Sequence, residues 1–154
     1  MTSILNDTGI GLAFDGATRA RPVLLATLDA PVLAEAAQVA VDAAVESGQS
    51  ILVVNAVEVS VTRATLALGY DYITPPHIES TLQAPAELAA SLGVHVERIR
   101  LRSPHPVDAL LEFAAERDAG LLVLGADPDA MRRGRYRKSV RKVLGASPCL
   151  VWVA

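Results

Sequence analysis

Cysteine is almost missing from this chain. Cys149 is the single one in 154 residues, which excludes an intrachain disulfide and any cysteine-based metal cluster. Histidine is scarce too: His77, His95 and His105 are the only three, and no two lie three or four apart, so no helical metal pair exists. Long apolar runs are also absent. Half of the residues are apolar, yet no run reaches the roughly 18 residues a membrane helix needs. Residues 1–20 lack an early positive charge and a continuous apolar core, so no signal peptide is expected there, and a soluble cytoplasmic protein is the default expectation. No Gly-Lys-Ser or Gly-Lys-Thr and no Gly-x-Ser-x-Gly occurs, which removes a Walker loop and a serine-hydrolase elbow. No base is nominated beside Cys149, which reads as a small apolar residue. No catalytic set is assembled.

Acid is missing from one place in particular. Between Arg132 and Lys142 stand seven basic residues in eleven positions, with no acid among them. They are half of the chain's fourteen, so the other 143 residues carry seven basic and seventeen acidic groups, a balance of −10 against −3 for the whole. An acidic body with one basic segment suggests a local anion site. It argues against nucleic acid, which favours basic residues spread over a face. A merely solvated basic helix reads the same way on charge alone.

The length fits one domain with a full core. Residues 1–20 form an irregular arm, with Asp7, Gly9, Gly11, Asp15 and Gly16 breaking any period; the domain proper is expected over 21–154. Residues 22–28 read as a strand buried on both faces, as in a parallel sheet. Asp29 follows, either a carboxylate at the mouth of the sheet or the N-cap of the next helix. Residues 32–47 carry apolar positions at helical spacing, closed by Gly48. Residues 51–57 are a second buried strand. Residues 58–85 predict a long excursion, of the kind that serves as lid or partner surface, with a short helix over 63–68 and an extended break at Pro75-Pro76. Residues 86–92 predict a helix whose start could lie a few residues earlier. Residues 94–101 predict a strand with a bulge between Val96 and Ile99. Arg98, Arg100 and Arg102 mark that strand as a charged sheet edge. A helix over 107–118 follows. The sum is an α/β sandwich around a five-stranded, mainly parallel sheet.

The last third then reads Leu122-Val123-Leu124-Gly125-Ala126-Asp127-Pro128, nine residues, Lys138-Ser139-Val140, and later Ser147-Pro148-Cys149-Leu150-Val151. This resembles the universal stress protein family, whose last third reads strand-Gly-x-x-Gly, nine residues, Gly-Ser or Gly-Thr, a helix and an Ala-Pro-Cys-Pro-Val strand. The resemblance spans roughly residues 21–153 and includes the aspartate that ends the first strand, here Asp29. It implies strand order 3-2-1-4-5. It also implies an adenine-nucleotide site, with Asp29 at the adenosine and Gly125, Arg137, Lys138, Ser139 and Val140 around ribose and phosphates. Ser139 would then stand at a helix start, where hydroxyl and N–H groups can donate to phosphate.

Two of the family's three glycines are replaced, by Pro128 and Lys138. Proline fixes φ and has no N–H to give, and lysine adds bulk where backbone would approach phosphate. The resemblance therefore implies a stress-response module, non-enzymatic, with weak or lost ATP binding. The alternatives are an ATP or AMP sensor with slow hydrolysis, and an anion or nucleic-acid binder using the Arg132–Lys142 cluster. The closing strand would be a sheet edge, apolar at Val151, Trp152 and Val153. A homodimer through that strand around Trp152 is expected; the other reading packs Trp152 under the N-terminal arm.

Overall fold

The computed structural model describes residues 20–60 and 73–154. Five strands and four α-helices alternate along them: β1 Val23–Thr27, α1 Ala34–Ser47, β2 Ile51–Glu58, α2 Pro76–Ser91, β3 Val96–Ser103, α3 Pro106–Glu116, β4 Leu121–Leu124, α4 Arg133–Ala146 and β5 Leu150–Val153. The sheet order is β3-β2-β1-β4-β5, and every neighbouring pair is parallel. The expected 3-2-1-4-5 order stands.

Two cores hold the three layers together. Alternate residues of β1 and β2 point to opposite faces. Val23, Leu25, Ile51 and Val53 pack with Ala36, Ala40 and Val41 of α1 and with Ile78 and Leu82 of α2. Leu24, Ala26, Leu52 and Val54 pack with Leu110, Leu111 and Ala114 of α3 and with Val143 of α4. Both faces of the central strands are thus covered, which is why they read as unbroken apolar runs. Each leucine so buried contributes about 1.5–3 kcal/mol. Gly48 ends α1 at φ 69, a left-handed cap that glycine adopts without strain.

Three sequence expectations are corrected. First, α2 starts at Pro76, ten residues before the expected 86, and carries Pro85 in its interior. Pro76 occupies the first helical position, where a missing N–H costs nothing, so the Pro-Pro pair opens a helix rather than breaking one. Second, β3 pairs with β2 without interruption from Ile51↔Val96 to Glu58↔Ser103, and there is no bulge. Val96 packs on the α1/α2 side, whereas Ile99 and Leu101 pack on the α3/α4 side. The slip in alternation is a change of face. Third, α1 begins at Ala34 with Leu33 at the N-cap and no side-chain cap, so Asp29 does not cap it. Residues 1–19 of the arm expected over 1–20, and the short helix expected over 63–68, lie outside the described residues.

Candidate functional site

The C-terminal ends of the strands form the mouth of a doubly wound sheet, where such folds hold ligands. β1 ends in a tight turn. Thr27 Oγ1 donates to the Ala30 carbonyl at 2.6 Å. Asp29 sits at φ 57, a left-handed conformation that aspartate tolerates better than most residues. Its N–H donates to Asn55 Oδ1 at 2.9 Å. Asn55, on β2, is 3 % exposed and so anchors the turn from below.

β4 ends at Gly125, which is occupied by structure. Its N–H donates to the Ala26 carbonyl at 2.8 Å, and its carbonyl accepts from Leu33 N–H at 2.8 Å. A Cβ placed there would lie 2.8 Å from Ala36 Cβ and 3.2 Å from Val32 Cγ1. The glycine lets α1 close on β4. Next to it Val32 and Ala126 form an antiparallel bridge, and Asp127 N–H donates to the Pro31 carbonyl at 2.9 Å. The loops after β1 and β4 are therefore bonded to each other.

Beyond this bridge the backbone donors of residues 129–131 are used up. Pro128 has none. Asp129 N–H donates to Asp127 Oδ1 at 2.9 Å. Ala130 N–H donates to the Asp127 carbonyl at 3.1 Å and Met131 N–H to the Pro128 carbonyl at 3.3 Å. Residues 128–130 form a 3₁₀ turn capped by the Asp127 side chain. Two carboxylates, Asp127 and Asp129, stand in this loop.

α4 then begins at Arg133, six residues before Ser139. The expectation that Ser139 opens the helix is corrected: it lies in the seventh of fourteen positions, where N–H groups point to the carbonyl one turn back. Lysine in place of glycine at 138 favours the longer helix by about 1 kcal/mol. Ser139 is buried, at 6 % exposure. With Lys138, Arg135 and Lys142 it lines a cleft of about 150 Å³ against Glu58 and the start of α3 at Pro104–Asp108. Arg135 approaches Glu58 at 3.8 Å. Lys142 Nζ meets Asp108 Oδ1 at 2.5 Å, and that hydrogen bond holds the Asp108 carboxyl below its ordinary value, with a smaller upward push from desolvation.

The six expected site residues thus fall in several places. Lys138 and Ser139 share the α3/α4 cleft. Val140 packs into the α3/α4 core, and Arg137 is exposed on the outer face of α4. Gly125 is sealed under α1, and Asp29 belongs to the turn held by Asn55. Neither Gly125 nor Asp29 lines the cleft. Sequence reasoning passed over Asn55, although one amide in an otherwise apolar strand was the available signal. It also missed the cleft's acidic wall, Glu58 and Asp108, which comes from other elements. Cys149 is half-buried, its N–H donating to Ser147 Oγ at 3.2 Å, as a packing residue would be. No group of three or more metal-ligating side chains occurs among the described residues, and none of their helices is long and apolar enough to cross a membrane.

Comparisons with known proteins agree on one family. The model of the Universal stress protein family matches residues 19–154. A universal stress protein from Archaeoglobus fulgidus, solved in complex with dAMP, superposes with a TM-score of 0.60 at 19 % identity, over 86 % of this chain and 96 % of that one. A universal stress protein solved in complex with cAMP gives 0.59 at 22 % identity, over 89 % and 98 %. Universal stress protein UspA from Lactobacillus plantarum gives 0.57 at 17 % identity, over 88 % and 99 %. No curated protein matches the sequence.

Proposed function

The chain belongs to the universal stress protein family, and on that premise we propose that it is a non-enzymatic regulatory module of the stress response, working through dimerisation and partner binding, with a weakened or lost grip on ATP. The observation that carries this reading is the loop after β4. Its N–H groups at residues 127, 129, 130 and 131 are all bonded within the protein, and Pro128 has none. A phosphate needs free, convergent donors and tolerates neither fixed carboxylates nor backbone already paired. The cleft beside Ser139 is small: about 150 Å³ against the roughly 300–1,000 Å³ of sites for drug-sized ligands. Calorimetric titration with ATP and with AMP tests the reading. The expected result is no saturation below millimolar ligand; saturable binding at micromolar ligand overturns it.

The second reading is an adenine-nucleotide sensor with slow ATP hydrolysis. It is favoured by the two similar proteins solved with dAMP and cAMP, and by three cations, Arg135, Lys138 and Lys142, beside Ser139. It requires that Ser139→Ala weaken ATP binding; an unchanged affinity counts against it. Dimerisation is assigned to β5. It is an outer strand of the sheet, Leu150 is 75 % exposed, and Trp152 is only half-buried against the α1/α2 core. An apolar edge with unpaired backbone is a template for pairing with a second copy. The cytoplasm is the proposed location.

A further inference from the structure

Charge divides one face of the molecule into two halves. α3 and α4 pack on the same side of the sheet. On α4, Arg133, Arg137 and Arg141 recur every four residues, all exposed. On α3, Asp108, Glu112 and Glu116 do the same with the opposite sign. Positions four apart share one side of a helix. The other side is taken by buried residues, Ser139 and Val143 on α4 and Leu110, Leu111 and Ala114 on α3. Both stripes therefore look away from the sheet. The ion pair of Lys142 with Asp108 marks their junction: Lys142 follows the last arginine of the basic stripe, and Asp108 begins the acidic one. The face runs from basic to acidic across that pair.

Neither stripe is neutralised within the chain. Among the described residues, Arg133, Arg137, Arg141, Glu112 and Glu116 take part in no ion pair. Like charges at this spacing repel along each helix. A neighbour that relieves both stripes must offer acid to α4 and base to α3. A nucleic-acid duplex or an anionic bilayer carries one sign only, so α3 would repel it. A second copy of this chain carries both. A two-fold axis through the Lys142–Asp108 junction lays the basic half of each copy on the acidic half of the other, the self-complementary form of an isologous contact. Each half of the contact then sets three arginines against two unpaired glutamates, which is close to neutral.

We propose that the outer face of α3 and α4 is a second self-association surface, separate from the β5 edge and held by charge. Exposed ion pairs are individually weak and are screened by salt. The contact therefore forms at low ionic strength and high chain concentration, and it is open at ordinary salt. It does not depend on the β5 edge. Where that edge is paired, the face joins dimers into larger species; where the edge is blocked, assembly stops at a pair.

Sedimentation velocity on the full chain carrying Leu150→Lys tests this, over a range of chain concentrations in low and in high salt. The expected result is a dimer in low salt and a monomer in high salt. Two charge reversals are then added separately to that chain, Arg137→Glu with Arg141→Glu, and Glu112→Arg with Glu116→Arg. Each should weaken the low-salt dimer about tenfold or more. Mixing the two variants should restore it, because each then meets opposite charge in both halves of the contact. A monomer in low salt, association unchanged by either reversal, or no recovery in the mixture overturns the proposal. Association that appears only on adding duplex DNA or phosphatidylglycerol vesicles gives the face to a foreign polyanion and overturns it too. Should a reversal variant lose its fold by circular dichroism, the other reversal and the salt comparison decide. A parent chain that is monomeric in high salt removes the β5 assignment alone, since the low-salt contact is read on one chain against itself.

Discussion

Gly125 and Ala36 meet so closely that a methyl group on the glycine would come to 2.8 Å from the alanine Cβ. Contacts that short do not persist, and the neighbours are a helix and a strand, not the end of a flexible side chain. Gly125→Ala should therefore force α1 away from β4 and destabilise the fold by about 1–3 kcal/mol. Urea denaturation with an unchanged slope and a lower midpoint is the expected result. A variant as stable as the parent would show that the glycine is kept for something other than packing.

The loop that follows suggests a reversal. If Pro128 and Lys138 are what closes the phosphate site, returning both to glycine should open it. Pro128→Gly restores one N–H and frees the turn; Lys138→Gly costs α4 about 1 kcal/mol and lets its first turns unwind, moving the helix start toward Ser139. The double variant should bind ATP at least tenfold more tightly than the parent in calorimetry. Equal affinities would place the barrier elsewhere, at the bonded loops of Val32 and Ala126.

Lys142 and Asp108 give a pH signature. The lysine holds the Asp108 carboxyl below its ordinary value. A carboxyl depressed in the folded state adds stability above its unfolded pKa, and that stability is lost as pH falls through the folded value. Lys142→Met should thus be less stable than the parent at pH 7, the gap beginning to close as pH falls to the ordinary range of aspartate, about 3.9, and vanishing only below the lower value that Asp108 has in the folded parent. Both side chains are about half exposed, so salt should narrow the difference at pH 7. A gap that persists at low pH would mean the lysine acts through packing of its stem.

At the other end of the sheet, β5 is the surface assigned to a second copy. Leu150→Lys puts a charge on an exposed position of that edge without touching either core. Light scattering after gel filtration should show a dimer for the parent and a monomer for the variant, with the fold intact by circular dichroism. A monomeric parent at micromolar concentration would sink the assignment.

Much of this was legible in the residues. The central strands could be read because both of their faces are buried, so periodicity was replaced by unbroken apolar runs between glycines and helix patterns. Boundaries near proline were less legible. Pro76 looks like a breaker in sequence and acts as a helix opener, because only its place relative to the first turn decides which. The bulge expected in β3 was an alternation read with one face in mind, while the strand touches cores on both. The site was harder still. Gly125, Ser139 and Asp29 follow the spacing of a nucleotide loop, but spacing carries no information on which N–H groups are already taken. That depends on the pairing of Gly125 with Ala26 and Leu33 and of Asp127 with Pro31, contacts from distant parts of the chain.

The basic face of α4 tests how far a charge pattern is maintained against the helix's own stability. Arg133, Arg137 and Arg141 recur every four residues on exposed positions, and Lys138 and Lys142 repeat the spacing. Like charges so placed each cost about 0.2–0.5 kcal/mol. The first turn has no acid and carries Arg133 and Arg135, against the helix dipole. Arg137→Glu would turn two repulsions, with Arg133 and Arg141, into two attractions. The expected gain is about 1 kcal/mol, or roughly 2–4 °C in Tm for a chain of this size. Calorimetry in low salt should show it, and the gain should shrink at high salt as the charges are screened. The same variant separates a solvated helix from an anion-binding one. If the cluster holds an acidic partner, binding of the parent to immobilised heparin should fall steeply with salt and be largely lost in Arg137→Glu. A parent that does not bind heparin at low salt leaves the helix merely solvated, its charge repeated at a cost that no polyanion recovers.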